Sequence, residues 1–248
     1  MNPTISIVTG TKNRQASYVR LCRSISAVMK VPFEFFVADA SNPGYATTND
    51  IQNDQLLWTT VIRESPPLGH IRGYNTAFSK CRGEFVLWVN DDAELLPGWD
   101  DTALRFMGGH PEIAVGALYF RDRTNGDWKT YFEVQSLFDI QYANFGFVRR
   151  EAGVALDWFD PSLGMTYCAD TDFCFRAICQ GFGVAPMFGC GLLHYREMDA
   201  GRKQNEMGRK EDRNEFNRKW DTRVPELKAQ FEKFKRFRRA MYIPAEEW

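Results

Sequence analysis

Short apolar runs alternate with helix-like segments in the first part of the chain, and this alternation limits the possible folds more than any other feature. The predicted elements are strands at 5–9, 33–38, 56–62 and 85–89 and helices at 14–30 and 71–80. Strands that are separated by helices pair in parallel and are covered by helices on both faces. The pattern therefore predicts an α/β fold whose ligands gather at the carboxyl ends of the strands.

The second part of the chain has a different pattern. Residues 113–120 and 128–134 flank a polar turn with Asn125 and Gly126, which predicts an antiparallel pair of strands. Residues 168–180 predict a helix. The predicted fold class is α/β, with a mostly parallel central sheet, a small antiparallel extension and a C-terminal helical tail.

Composition and charge exclude several classes of protein. The 248 residues suffice for one large domain with an appendage, and 31 basic residues nearly balance 32 acidic ones, so no overall field favours nucleic acid. No apolar run reaches the roughly 18 residues of a membrane span, and the N-terminus lacks the pattern of a secretion signal. Six cysteines without a CxxC pair indicate buried thiols rather than disulfides or a zinc site. We therefore expect a soluble, cytoplasmic chain.

Two adjacent carboxylates follow the fourth predicted strand. The stretch FVLWVNDDAELLPG runs from large apolar residues straight into Asp91 and Asp92, and Asp39 ends another predicted strand, so all three carboxylates can face one crevice. Magnesium and manganese take one or two carboxylates and let substrate phosphates complete the shell. No GxxxxGK[ST] or GxGxxG loop offers another phosphate site, so a metal would have to hold the phosphates. The alternative is that Asp91 and Asp92 only begin a turn.

Five stretches carry a resemblance that goes beyond this pattern. They are TISIVTGTKNR, FEFFVADASN, LGHIRGYNTAFSKCRGEFVLWVNDDAELLPGW, FGFVRREAGVALDWFDPSLGMTYCADTDFCFRA and FGCGLLHYRE. In this order and spacing they resemble the inverting glycosyltransferases of family two, which have the Rossmann-like GT-A fold. The resemblance covers about residues 4–196. It implies a GT-A domain at 1–197, with a nucleotide-binding half to about residue 100 and an acceptor half at about 101–197.

The resemblance implies roles for residues on the nucleotide side. Asn90, Asp91 and Asp92 lie where the family has its DXD-type motif, which makes Asp92 a metal ligand and places the other two beside the nucleotide. His194 resembles a histidine that closes on the metal or the diphosphate. The remaining implied contacts to the nucleoside and donor are Thr9, Thr11, Arg14, Asp39, Arg72 and Asn75. The implied cofactor is Mn²⁺ or Mg²⁺. Structural roles for His194 and Asp39, and plain helix-surface roles for the arginines and Asn75, stay open.

The stretch ADTD at 169–172 decides the reaction. In the family an acidic pair at a helix start provides the base; the first acid is Ala169 here, and Asp170 aligns with the usual base. Asp170 would accept the proton of an acceptor hydroxyl that attacks the anomeric carbon, and a single displacement inverts the configuration. Asp172 is placed on the acceptor side in a mainly structural role, and Trp158 is the candidate for stacking on the acceptor. Both aspartates could instead only cap the helix.

The last fifty residues differ in composition from the rest. Residues 198–213 predict a mobile, charged loop that folds over the donor and brings Arg202 or Lys203 near the diphosphate. Residues 224–241 predict an amphipathic helix whose apolar stripe is Phe231, Phe234, Phe237 and Met241. The stripe could pack on the domain, lie on an anionic membrane surface or form a dimer contact. A nucleic-acid acceptor is the least favoured alternative.

The expected function is a metal-dependent inverting glycosyltransferase. It would move a sugar from a nucleotide-diphosphate donor, expected to be a UDP-sugar, to a hydroxyl of a glycan, a lipid-linked glycan or another molecule. The alternative is a catalytically silent nucleotide-sugar-binding module on the same fold. If the acceptor is lipid-linked, a peripheral position at the inner face of a membrane is the alternative to a freely cytoplasmic one.

Overall fold

In the part of the chain that the structure describes, a mixed sheet of eleven strands forms the centre. The computed structural model describes residues 3–42, 59–65, 69–163, 167–197 and 200–248. Its first strands are β1 Ile5–Thr11, β2 Phe33–Asp39, β3 Thr59–Arg63 and β4 Phe85–Trp88. They pair in parallel in the order β3-β2-β1-β4, as the alternating pattern predicts. The start of the predicted strand at 56–62 lies outside the described residues.

Two helices of this half fit the sequence expectation. Helix α1 spans Gln15–Val28 and α2 spans His70–Phe78. Every residue of β4 is buried, as expected for a central strand that is covered on both faces. The sheet therefore presents the carboxyl ends of β1, β2 and β4 along one edge.

Strands of mixed direction form the other half of the sheet. They are β5 Ala93–Leu95, β6 Ile113–Thr124, β7 Asp127–Trp128, β8 Tyr131–Glu133, β11 Gly146–Arg149, β12 Gly183–His194 and β13 Tyr242–Pro244, while β9 Gln135–Leu137 and β10 Ile140–Tyr142 form a separate hairpin. The predicted antiparallel pair is confirmed, since β7 and β8 both pair antiparallel with β6. Strand β12 runs parallel to β6, and its end pairs antiparallel with β5. This pairing brings the end of β12 beside the residues that follow β4.

One large core joins both halves of the sheet to the helices. The remaining helices are α3 Trp99–Gly109, α4 Arg150–Ala155, α5 Ala169–Cys179, α6 Ala200–Trp220 and α7 Val224–Phe231. The helix predicted at 168–180 is α5, which begins after Cys168 in a left-handed conformation with φ 67°. None of the helices in the described residues is both long and apolar enough to cross a membrane.

The C-terminal region corrects two predictions. The charged segment predicted as a loop forms most of α6, because its many Arg, Lys, Glu and Gln residues favour a helix despite two glycines. The predicted helix at 224–241 ends at Phe231 and continues as a 3-10 turn over Glu232–Phe237 and then β13. Phe231, Phe234 and Phe237 are only 6% to 7% exposed. The apolar stripe therefore packs on the domain, and these three side chains offer no surface to a membrane or a second chain.

Candidate active site

The carboxyl ends of β1 and β4 form the centre of the site. These strands pair in register, and Val89 continues the pairing by donating its backbone N–H to Val8 O over 3.0 Å. The residues that follow each strand must therefore meet at the same edge. This register explains why Thr11, at the end of β1, reaches Asp91 although 80 positions separate them.

Asp91 is buried and accepts hydrogen bonds from both partners on the β1 side. Thr11 Oγ1 donates to Asp91 Oδ2 over 2.8 Å, and Arg14 Nη1 donates to Asp91 Oδ1 over 2.9 Å. The same Arg14 nitrogen lies 3.5 Å from Asp92 Oδ2. Burial raises the pKa of Asp91 to about 6; the Arg14 guanidinium opposes this rise and the Asp92 carboxylate adds to it. Two buried carboxylates with one half-buried arginine leave an excess of negative charge that a cation would relieve.

His194 is brought to the acidic residues by the end of β12. It pairs with Ala93 of β5, and Tyr195 donates its backbone N–H to Asp92 O over 2.9 Å. His194 Nδ1 lies 2.8 Å from Asp122 Oδ1, while Nε2 lies 3.3 Å from Asp92 Oδ1 without making a hydrogen bond to any described residue. Burial alone would lower the pKa of His194, but the carboxylates of Asp122 and Asp92 outweigh it and raise that pKa.

Asp92 and His194 fit a divalent cation that is shared with a substrate. Within the described residues, no group of three or more His, Cys, Asp or Glu side chains could hold a metal ion alone. Magnesium and manganese often take only one or two protein ligands and complete their shell with substrate phosphates. A histidine that has one nitrogen held by a carboxylate and the other left without a hydrogen bond has the usual arrangement of a metal ligand.

Asp39 is held by its neighbours at the end of β2. Its Oδ1 accepts the Ser41 backbone N–H over 2.9 Å, and its Oδ2 pairs with Arg63. The first contact is the turn role that the sequence left open. The contact of Asp39 with a nucleobase stays a prediction.

Four other predicted contacts lie in different settings. Thr9 is fully buried in β1, Asn90 is half-buried after β4 and Arg72 is exposed on α2. Asn75 Nδ2 donates to Phe159 O over 2.7 Å, and Asn75 Oδ1 accepts the Phe159 N–H over 3.1 Å. Both ends of this amide hold the loop before α5, which is a structural role; a contact of Asn75 with the donor stays a prediction.

His70 lies at this crevice, and sequence reasoning missed it. It begins α2, its ring lies 4.4 Å from the Tyr74 ring, and a methyl group added at Gly10 would come within 3.7 Å of its Nδ1. Burial lowers the pKa of His70 to about 4, against the effect of Asp92. The imidazole is therefore neutral near pH 7. A lone histidine after Gly69 gave no pattern from which this position could be predicted.

Asp170 lies in the first turn of α5 and is half-buried. Its Oδ1 accepts the Thr171 backbone N–H over 2.7 Å, and no described residue donates to its Oδ2. Burial raises the pKa of Asp170 to about 6, although the hydrogen bonds from Thr171 oppose the rise. A carboxylate with a pKa near the working pH and an available oxygen is suited to accept a proton.

Packing places α5 against the carboxyl end of β4. Trp88, the last residue of β4, donates from Nε1 to Asn144 O over 3.0 Å and its ring lies 5.4 Å from that of Phe173. Ala143, the residue before Asn144, donates its N–H to Cys174 Sγ at 3.4 Å. Helix α5, which begins with Ala169 and Asp170, therefore packs beside the end of the strand that Asp91 and Asp92 follow.

The two predicted acceptor-side residues are structural. Asp172 is fully buried and accepts from Arg176 Nε over 2.7 Å and from Trp220 Nε1 over 2.8 Å, which fits its expected structural role. Trp158 is only 6% exposed and stacks on Phe78 at 4.3 Å. The prediction that Trp158 stacks on an acceptor is therefore wrong, since its faces are covered by the core.

The sheet and its acidic edge define an α/β domain of the GT-A type. The family model described as glycosyl transferase family 2 matches residues 6–158, and the chain belongs to that family. The match ends before Asp170 and His194, so it does not test their roles. No curated protein matches the chain.

Solved structures share this fold at low sequence identity. TarS from S. aureus in complex with UDP-GlcNAc has 17% identity and a TM-score of 0.61, over 79% of this chain and 59% of that one. The mannosyltransferase PcManGT from Pyrobaculum calidifontis, in complex with GDP-Man and Mn²⁺, has 15% identity and a TM-score of 0.63, over 82% and 60%. GalNAc-T7 with UDP, GalNAc and Mn²⁺ has 13% identity and a TM-score of 0.65, over 80% and 44%. The chain thus spans about three fifths of the length of the first two proteins and less than half of the third.

Proposed function

We propose that this chain is a metal-dependent glycosyltransferase that moves a sugar from a nucleotide-diphosphate donor to an acceptor hydroxyl with inversion. The observation that carries the proposal is Asp170, a carboxylate with an available oxygen and a raised pKa in the first turn of α5, the helix that packs against Trp88 at the carboxyl end of β4. Membership of the family and the nucleotide sugars bound by TarS and PcManGT support this choice of substrate class.

The residues divide the reaction between two groups. Arg14 and Thr11 hold the Asp91 carboxylate, and Asp92 and His194 would bind Mn²⁺ or Mg²⁺ together with the donor diphosphate. The cation would neutralise the charge that develops on the leaving diphosphate. Asp170 accepts the proton of the acceptor hydroxyl as that oxygen attacks the anomeric carbon. One displacement with no enzyme-bound intermediate gives inversion.

A uridine diphosphate sugar is the proposed donor, and a glycan or lipid-linked glycan the proposed acceptor. The TarS complex contains UDP-GlcNAc, whereas the PcManGT complex contains GDP-Man, so this fold accommodates both bases. The rival proposal is a silent nucleotide-sugar-binding module, because Ala169 replaces the first acid of the usual pair and is only 3% exposed.

A panel of nucleotide sugars tests the proposed function. We expect release of one nucleotide in Mn²⁺ or Mg²⁺ and its loss in excess chelator, because Asp92 and His194 alone leave most of the metal shell to the substrate. Nucleotide release is measured with UDP- and GDP-sugars and mixed hydroxyl acceptors. Release that is equal with and without chelator would reject metal dependence, and binding without release would favour the silent module.

The pH profile gives a second test. The active form of a general base is deprotonated, so kcat/KM is expected to fall about tenfold per pH unit below the Asp170 pKa of about 6 and to level off above it. The measurement is kcat/KM between about pH 4.5 and pH 8.5 with saturating Mn²⁺. A profile that stays flat down to the usual aspartate pKa of about 4 would contradict the assignment of Asp170.

A further inference from the structure

Asp122 lies on β6, in register with the histidine that ends β12. The two strands run parallel, and Asp122 and His194 are direct partners in the ladder. Side chains of paired residues on neighbouring strands point to the same face of a sheet. The topology therefore delivers a carboxylate to His194 from a residue that no sequence motif marks.

The two oxygens of Asp122 have different partners. Oδ1 lies 2.8 Å from His194 Nδ1, whereas Oδ2 accepts a hydrogen bond from Arg196 Nη1 over 3.0 Å and lies 3.6 Å from Lys129 Nζ. Asp122 is 4% exposed, so these contacts are shielded from water. Arg196 reaches Asp122 from a left-handed backbone with φ 49°, a conformation that residues with a Cβ rarely adopt.

The His194 ring is fixed on its other sides as well. The rings of Phe145 and Phe120 lie 5.2 Å and 6.1 Å away with their planes nearly perpendicular to the imidazole. Both ring nitrogens face carboxylates that can only accept, but Asp122 Oδ1 lies 2.8 Å from Nδ1 whereas Asp92 Oδ1 lies 3.3 Å from Nε2, so the proton of a neutral His194 is expected on Nδ1. Nε2 then presents a lone pair toward Asp92, where it makes no hydrogen bond.

We propose that Asp122 is a positioning residue that fixes the His194 tautomer and ring orientation required for metal binding. This inference rests on the proposed metal-dependent function. Asp122 does not touch the metal; it acts through His194, and its partners Arg196 and Lys129 keep the carboxylate in place. Such outer partners typically change metal affinity about 10–100-fold when they are removed.

Asp122→Asn separates this role from packing, because the amide has nearly the shape of the carboxylate. Arg196 and Lys129 are donors, so the Asn oxygen is expected to face them and its NH₂ to face His194 Nδ1. Nδ1 must then accept, the proton moves to Nε2, and Nε2 can no longer bind a cation. Replacement of a carboxylate by its amide beside a histidine is known to keep the geometry and impose the wrong tautomer.

Mn²⁺ binding in the presence of UDP is the first measurement. In a titration that follows free Mn²⁺ by electron paramagnetic resonance, Asp122→Asn is expected to bind Mn²⁺ about 10–100-fold more weakly than the natural chain does. The matched control is Glu133→Gln, which removes a buried carboxylate from the same Lys129, at 2.5 Å, without touching His194. The control is expected to bind Mn²⁺ normally; an equal loss in both variants would overturn the inference.

Nitrogen-15 NMR of the imidazoles gives a readout that needs no metal. The chain has three histidines, so a His194→Gln sample identifies the His194 signals. At a pH where the imidazoles are neutral, the natural chain is expected to carry the proton on Nδ1 and Asp122→Asn to carry it on Nε2. An unchanged tautomer in Asp122→Asn would overturn the inference.

The two readouts distinguish this inference from the proposed function. If the natural chain binds no Mn²⁺ but the tautomer changes, metal dependence is rejected and the control of His194 by Asp122 is supported. If Mn²⁺ binds equally to the natural chain and Asp122→Asn, the inference alone fails. Should Asp122→Asn not fold, Arg196→Met replaces it, since that side chain is 40% exposed and its loss leaves Asp122 Oδ2 with only the longer contact to Lys129 among the described residues. A smaller loss of Mn²⁺ affinity is then expected, and no loss would overturn the inference.

Discussion

Asp170→Asn is expected to lower kcat by about 10²–10⁴-fold while leaving the Kd of the nucleotide sugar unchanged. Proton removal from the acceptor hydroxyl needs a base in the transition state, and an amide cannot take that proton. In the proposed function the donor is bound by residues around Asp91 and Asp92 and not by Asp170. The measurement is the single-turnover rate together with the donor Kd in Mn²⁺.

The substitution is well suited to this test because it is expected to leave the stability of the fold unchanged. Asn accepts the Thr171 backbone N–H as Asp170 does, so the first turn of α5 keeps its hydrogen bond. The control is Asp139→Asn, which removes a carboxylate that is 85% exposed and lies 3.8 Å from Lys228. Full kcat in Asp170→Asn, or an equal loss in both variants, would contradict the proposed base.

Asp92→Ala is expected to abolish the metal dependence of nucleotide binding. Asp92 is 1% exposed and is the carboxylate that faces His194 Nε2 at 3.3 Å. Removal of a residue that binds the metal directly should weaken Mn²⁺ binding by more than about 100-fold, which is the upper end of the effect seen when a residue that only supports a ligand is removed. Calorimetric titration of UDP with Mn²⁺, and again with chelator, measures the effect.

A neighbouring carboxylate provides the control for this variant. Glu94 lies two positions away and accepts Tyr195 Oη over 2.7 Å, outside the pair that faces His194 Nε2. Glu94→Gln is therefore expected to keep metal-dependent binding. If Asp92→Ala bound UDP and Mn²⁺ as well as Glu94→Gln does, the metal site would have to lie elsewhere.

The elements of the first half could be predicted because each depends on local pattern. Strands β1, β2 and β4 are apolar runs that are buried on both faces. In the second half, α5 could be predicted in the same way from the helical spacing of its apolar residues. Helix α6 could not be predicted from its spacing, because most of it is charged and its buried apolar residues among those described, Phe216 and Trp220, lie near its end. Periodicity is weak where only one end of a helix touches the core.

The residues of the candidate site also fall into those that local sequence pattern could predict and those that it could not. Asp91, Asp92 and Asp170 stand at element ends that the sequence marks, so their positions could be anticipated. Asp122 and His70 could not, since each reaches the crevice only through the pairing of distant elements. The prediction for Trp158 was wrong for a related reason. In the sequence, an aromatic residue that lines a site cannot be distinguished from one in the core until its neighbours in the structure are known.

Asp172 has a consequence for where this chain could be shortened. Trp220 and Lys219, at the end of α6, bind the carboxylate of Asp172 at 2.8 Å each, two residues after the proposed base. Truncation after the last long strand would retain every residue of the acidic edge but would leave Asp172 with Arg176 as its only remaining cationic partner among the described residues. The partners of Asp172 are thus supplied by residues that follow the last long strand, so a fragment that keeps these contacts beside the proposed base has to extend at least through residue 220.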